Sequence, residues 1–422
     1  MHARRLAPLL ALLAAAAPAA PLLGQPVPAV ARAEAQAPAF ARRLDAAIDK
    51  AIAEQRIVGA VVLVAEDGRI VYRRTAGHFD REKGEPMRED AIFRLASVSK
   101  AVMSVLAMTL VEDSTLALDA PVSRWLPEFR PRLPDGTAPE ITVRQLLSHT
   151  AGLSYGFLES PDSLYFRLSV LDGMELPDTD LYGNLQRLAQ IPLAFPPGTG
   201  FRYSLATDVL GAVIERATGK PLAQVVREKV TAPLGMTDTG FAVTDPARLA
   251  PPYIHRAPGT EPMAPERMTD NVRLPMVASH ITFAPSRALN PDAYPSGGAG
   301  MVGTARDILA LLEAVRTGGG TVLKPETVAQ MMVDHSDAAN RPDAHGWGFG
   351  LGWSVLLDPA AAATPHARGT FRWGGVYGHS WFVDPERKLT VVALTNTTPE
   401  GMDGPFVDGL RSAIYGVAPE SR

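Results

Sequence analysis

Apolar residues recur at helical spacing from Phe40 to Ile57 (Phe40, Leu44, Ala47, Ile48, Ala51, Ile52), which predicts an amphipathic helix. The pattern then changes. Gly59 to Val64 is a continuous apolar run of strand length, Glu66-Asp67-Gly68-Arg69 is a hairpin turn, and Ile70 to Thr75 is the return strand. Met103 to Leu110 is apolar, rich in helix formers and free of Gly and Pro, so it reads as a buried helix that begins near Ser97.

The middle of the chain is richer in helix and loop. Thr142 caps a short helix through Leu147, and Thr207 to Thr218 is a further helix ended by Gly219-Lys220-Pro221. Residues 242 to 296 are dense in Pro and Arg with little periodicity and read as a long ordered loop region or lid. Gly346 to Trp353 alternates glycine with large apolar residues, as a strand would whose glycine face lets another element approach closely. Thr370 to Trp373, Trp381 to Val383 and Leu389 to Leu394 follow as strands, with Asp384-Pro385-Glu386-Arg387 as the turn between the last two, and Val407 to Tyr415 is a closing helix. This order predicts an α/β fold whose antiparallel sheet is flanked by helices. One α/β lobe, residues 40–92 and 297–416, comes from both chain ends, and a mostly helical lobe, residues 93–296, is inserted between, with the active site at their junction.

Composition narrows the function. The 422 residues are 46% hydrophobic, enough for a large core, and a net charge of −4 with mixed signs points away from nucleic acid. The absence of cysteine excludes disulfides and thiol catalysis. The nine histidines are scattered without metal-ligand spacing, so neither metal nor cofactor is expected. Residues 1–35 have a basic start, an apolar Ala/Leu run broken by prolines and small-residue cleavage sites near Ala31 and Ala35. They read as a secretory signal peptide, not a membrane span, and imply a periplasmic or secreted protein. Nothing in the sequence fixes an oligomeric state.

Three stretches carry chemistry. In Ser97-Val98-Ser99-Lys100 the i, i+3 spacing puts Ser97 and Lys100 on one helix face. A serine hydroxyl needs a base, and a lysine amine serves when burial favours its neutral form. Tyr203 follows the turn Phe195-Pro196-Pro197-Gly198, where a tyrosine beside a cationic lysine relays protons because the charge favours phenolate. Arg372-Trp373-Gly374-Gly375-Val376-Tyr377-Gly378-His379 leaves a strand with glycines that let a ligand lie along the backbone, an edge able to donate an N–H to an oxyanion. A decoy is Gly152-Leu153-Ser154-Tyr155-Gly156, the G-x-S-x-G pattern, which has meaning only between a strand and a helix with Asp and His partners. Here a polar helical segment precedes it, so Ser154 is set aside as nucleophile, although Ser154 and Tyr155 can still line the cleft.

Together these stretches resemble the serine β-lactamase and penicillin-binding protein superfamily of the class C type, and within it the family VIII carboxylesterases, over about residues 40 to 415. Ser97-Val98-Ser99-Lys100 matches the first motif, Tyr203-Ser204-Leu205 stands at Tyr-x-Asn, and Trp373-Gly374-Gly375 stands at Lys-Thr-Gly. The resemblance implies a β-lactamase-like fold. It implies that Ser97 is the acylated nucleophile, Lys100 its general base, Tyr203 the proton relay, and the N–H groups of Ser97 and Val376 the oxyanion hole. Leu205, Trp373, Gly374, Gly375, Tyr155 and His379 would contact substrate. Leu205 and Trp373 replace two polar groups that face a β-lactam, which favours a small neutral ester. The expected activity is a serine carboxylesterase for short acyl esters. Alternatives are a β-lactamase, a D-alanyl-D-alanine peptidase, an amide hydrolase, an acyltransferase or a non-catalytic binding homologue.

Overall fold

The sheet's centre is set by two runs that are mostly apolar. In the computed structural model, which describes residues 38–255, 264–338 and 341–418, β1 (Gly59–Glu66) is buried except at Glu66. The signal-peptide assignment for residues 1–35 lies outside the described residues. Helix α1 (Ala41–Ala53) precedes β1, and β2 (Arg69–Asp80) returns through Asp67 and Gly68, both at positive φ as a two-residue hairpin loop requires. The return strand is longer than its apolar stretch, and β3 (Glu85–Pro86) extends the edge. Helix α2 (Ser99–Glu112) follows, then α3 (Val143–Leu147), α4 (Ala206–Thr218) and α5 (Ala305–Arg316). The chain then returns to the sheet as β4 (Trp347–Phe349), β5 (Ser354–Leu356), β6 (Phe371–Gly375), β7 (His379–Asp384) and β8 (Leu389–Thr395), and α6 (Pro405–Tyr415) closes it. The eight strands lie in the order β4-β5-β6-β7-β8-β1-β2-β3, all antiparallel, so both chain ends contribute to one sheet.

Alternation along the central strands feeds two cores. Val62, Val64, Val391 and Ala393 pack with Leu44 and Ile48 of α1 and with Phe406 and Leu410 of α6. Val61, Leu63, Val392 and Leu394 join the larger core, which holds α2, α4 and α5. Ten further residues of α2 after Ser99 and Lys100, Ala101 to Leu110, are buried, so the helix carrying the lysine runs through the middle of the molecule.

Helix α3 carries the expected cap, and it is a full capping box. Thr142 accepts from the Gln145 N–H, and the Gln145 side chain accepts from the Thr142 N–H. Gly219 ends α4 in the left-handed conformation.

Two readings of the sequence need correction. Residues 242 to 296 are not a loop throughout. Tyr253–Ile254 pairs with Glu266–Arg267 and Thr397–Thr398, and Val272–Pro275 pairs with His280–Phe283. Strands of two to four residues are too short to show a period. Gly346 to Trp353 is not one strand but the start of the β4–β5 hairpin, with Gly346 at φ +78° and Gly352 at φ +121°. A side chain at Gly352 would run into Ser104 of α2, and one at Gly350 into the Met331 carbonyl, so the close approach expected at these glycines is present although the single strand is not.

Candidate active site

Ser97 sits in a 3-10 turn, Ala96–Val98, that runs directly into α2, one step before the α-helix proper. Ala96 before it has φ +45°, a conformation that costs a non-glycine residue about 1 kcal/mol or more. That kink turns the chain from the short strand Phe93–Arg94 into the helix and leaves Ser97 partly accessible between buried neighbours.

Lys100 lies one turn on, 1% exposed. Its Nζ donates to three oxygens: Ser97 Oγ at 3.3 Å, Tyr155 Oη at 2.8 Å and the Gly298 carbonyl at 2.7 Å. Burial disfavours the ammonium and brings the pKa down to about 7, against the opposing pull of the Asp208 and Asp172 charges. At neutral pH a large fraction of Lys100 is therefore the free amine, the form that accepts a proton.

Tyr203, in the extended segment before α4, donates from its hydroxyl to Ser97 Oγ at 2.6 Å. Its ring is held by His149, Tyr155 and Trp373, with centroids at 4.8, 5.1 and 5.3 Å, and Lys100 Nζ lies 4.6 Å from its own centroid. The expected phenolate is not supported. Burial pushes the phenol pKa up, so Tyr203 is a neutral donor. His149 is fully buried, and desolvation followed by the Lys100 charge holds it well below the usual imidazole range, hence neutral.

Strand β6 brings the third stretch alongside. A side chain on Gly375 would collide with the Leu95 carbonyl and crowd Val98, so only glycine lets this edge approach the nucleophile turn. The Val376 N–H that follows has no backbone acceptor among the described residues. Trp373 and Gly374 are partly exposed, and the Trp373 ring contacts Tyr203 and Phe349, the latter at 5.1 Å. Tyr155 lies beneath Lys100, 2% exposed, with its ring stacked on Phe157 at 4.7 Å.

Two residues expected to touch substrate face elsewhere. Leu205 is fully buried in the main core, where the chain enters α4. His379 is 1% exposed and pairs across the strands with Gly375. Its Nε2 lies 2.8 Å from the Arg94 carbonyl, which makes that nitrogen the donor, and its ring meets Phe93 edge-on at 5.7 Å. It supports the strand entering the nucleophile turn from behind.

Ser154 has neither the strand before it nor the partners that an elbow needs. It is 2% exposed, its Oγ accepts from Arg202 Nε at 2.9 Å, and its N–H donates to Tyr165 Oη at 2.8 Å. The sequence reading missed Asp208, a fully buried carboxylate on α4, and Phe349, which with Phe201 and His149 floors the aromatic wall. Asp208 carries a legible signal as an acid ahead of the apolar run Val209 to Ile214 of its helix; Phe349 carries none. Among the described residues no helix is long and apolar enough to cross a membrane, and no cluster of His and acidic side chains has the makings of a metal site.

The sequence matches the Beta-lactamase family over residues 44–414. It is 53% identical over 390 residues to Esterase EstB of Burkholderia gladioli, covering 90% of this chain and 96% of that one. It is 28% identical to Monacolin J acid methylbutanoyltransferase of Aspergillus terreus, covering 84% and 90%. Among solved structures it superimposes on EstCE1, a hydrolase with promiscuous acyltransferase activity, with a TM-score of 0.86 and 48% identity over 89% of this chain and 98% of that one.

Proposed function

The chain belongs to the Beta-lactamase family and is a serine hydrolase of that fold, and on this premise we propose that it is a carboxylesterase acting on short-chain acyl esters through an acyl-enzyme on Ser97. The observation that carries the reading is the convergence of Lys100 Nζ and Tyr203 Oη on Ser97 Oγ, one a depressed-pKa amine and the other a neutral phenol. Lys100 takes the Ser97 proton as Oγ attacks the ester carbonyl. The oxyanion is received by the N–H groups of Ser97 and Val376. Tyr203 gives its proton to the departing alkoxide and regains one from the Lys100 ammonium. Water then attacks the acyl-enzyme by the reverse route.

Trp373 favours an ester over a β-lactam: an indole at that place offers a neutral apolar rim and no charge for a carboxylate. The aromatic wall of Trp373, Tyr203 and Phe201 suits an apolar acyl or alcohol group. Acyl transfer to an alcohol is a second reading, supported by the acyltransferase activity named for EstCE1; it requires only that an alcohol take the place of water. We read residues 40–92 with 297–416 and residues 93–296 as two lobes with Ser97 at their junction. The basic, apolar and small-residue pattern of residues 1–35 supports export to the periplasm or beyond.

The test is hydrolysis of p-nitrophenyl butyrate by wild type, Ser97→Ala and Ser154→Ala. Loss in Ser97→Ala alone is expected; loss in Ser154→Ala alone overturns the assignment.

A further inference from the structure

We propose that Asp208 is a positioning residue for Lys100, holding in place the Gly298 backbone that receives its amine and setting the amine's proton affinity by its charge. This rests on the reading of Lys100 as the base at Ser97. Gly298 is held at both of its backbone polar groups. Its N–H donates to Asp208 Oδ1 at 3.1 Å, and its carbonyl accepts from Lys100 Nζ at 2.7 Å. Asp208 thus fixes the backbone of Gly298 at its N–H, and so places the carbonyl of the same residue that receives the Lys100 amine.

Gly298 has to be glycine for this arrangement. A Cβ there would lie 2.7 Å from Tyr155 Oη, 3.4 Å from Lys100 Nζ and 3.5 Å from Asp208 Oδ2. Three polar atoms from three elements thus converge on the bare face of one residue. Asp208 is itself fully buried, and a buried carboxylate is rarely kept without a task or a partner.

The surroundings decide what that carboxylate does. Burial raises Asp208 on balance, against the lowering pull of the Ser296 hydroxyl, the Gly298 N–H and the charges of Lys100 and Arg287. Asp172 also favours the Lys100 ammonium, but it is occupied by the N–H groups of Gly156 and Phe157 at 2.8 and 3.1 Å and is raised by burial beside Glu175. His149, on the other side, is neutral. Of the two carboxylates whose charge opposes the desolvation of Lys100, Asp208 contributes the more. Without it the amine would stay neutral to lower pH. It would then bind the Ser97 proton less firmly and return it to Tyr203 more readily, at the expense of its strength as a base.

The experiment is direct titration of the lysine side chains by NMR with ε-13C-lysine, in wild type and Asp208→Asn. The chain has seven lysines, and Lys100 is the one expected to titrate near pH 7. Asn keeps an oxygen for the Gly298 N–H and removes the charge. The Lys100 midpoint should fall by about one unit, while Asp208→Glu should stay closer to wild type. An unchanged midpoint in a folded Asp208→Asn protein overturns the proposal. If Asn does not fold, Asp208→Ser is read in the same way. The acid limb of kcat/KM measured alongside separates the two readings. A midpoint that moves while the limb stays would leave the role of Asp208 standing and remove Lys100 as the base.

Discussion

Tyr203 donates a 2.6 Å hydrogen bond to Ser97 Oγ, so the group closest to the nucleophile is a proton donor. Burial keeps that phenol protonated, and the task of base passes to Lys100. Tyr203→Phe retains the ring contacts with His149, Tyr155 and Trp373 and loses the proton. It should lower kcat on p-nitrophenyl butyrate by about 10²- to 10⁴-fold with KM little changed. Steady-state kinetics checks this, and a loss below tenfold contradicts it.

The pH profile has a definite sign. The base must be neutral, so kcat/KM should rise about tenfold per pH unit up to about 7, the Lys100 pKa, and then level off. His149 stays neutral through this range and adds no limb. Lys100→Arg keeps a cation that cannot deprotonate, so it should be inactive at every pH tested. The same shift links to stability: the folded pKa lies below the unfolded value of 10.5, so the unfolded chain binds the extra proton between about pH 7 and 10.5. Lys100 therefore makes stability rise with pH across that window, and denaturant titrations of Lys100→Met should show a shallower rise.

Gly375 should be intolerant. Ala there meets the Leu95 carbonyl, so β6 must withdraw from the nucleophile turn and take the Val376 N–H with it. A displacement on the order of 1 Å costs catalysis about 100-fold. A folded Gly375→Ala enzyme with near wild-type kcat would show that this edge does not serve the reaction.

Leu205 and Trp373 should respond differently although both replace polar motif residues. Leu205→Asn places an amide in the core and should cost about 3 kcal/mol of stability without creating cephalosporin hydrolysis. Trp373→Ala opens the partly exposed rim and should raise KM for butyrate esters about tenfold, which is about 1.4 kcal/mol. Thermal melts and ester kinetics of the two variants distinguish these outcomes.

These differences also mark what the sequence could reveal. Ser97, Lys100 and Tyr203 were legible because each sits in a short motif whose chemistry depends on residue type. The central strands were legible because β1 and β8 are dominated by β-branched and other apolar residues. His379 was misplaced because its direction follows from pairing opposite Gly375, which spacing along the chain does not encode. Leu205 was misplaced because the turn into α4 points it inward. The small sheets within 242–296 escaped notice because two-residue strands have no period. The link from Asp208 to Lys100 passes by way of the Gly298 backbone, 90 residues from the carboxylate, and no local pattern carries it.

The central claim is that Ser97 carries the acyl group. Its most direct test is peptide mapping by mass spectrometry after treatment with a p-nitrophenyl alkylphosphonate, which leaves a stable adduct on an activated serine. The account predicts one adduct, on the peptide containing Ser97, absent from Ser97→Ala. An adduct on the Ser154 peptide, or none on a folded wild-type protein, would contradict it.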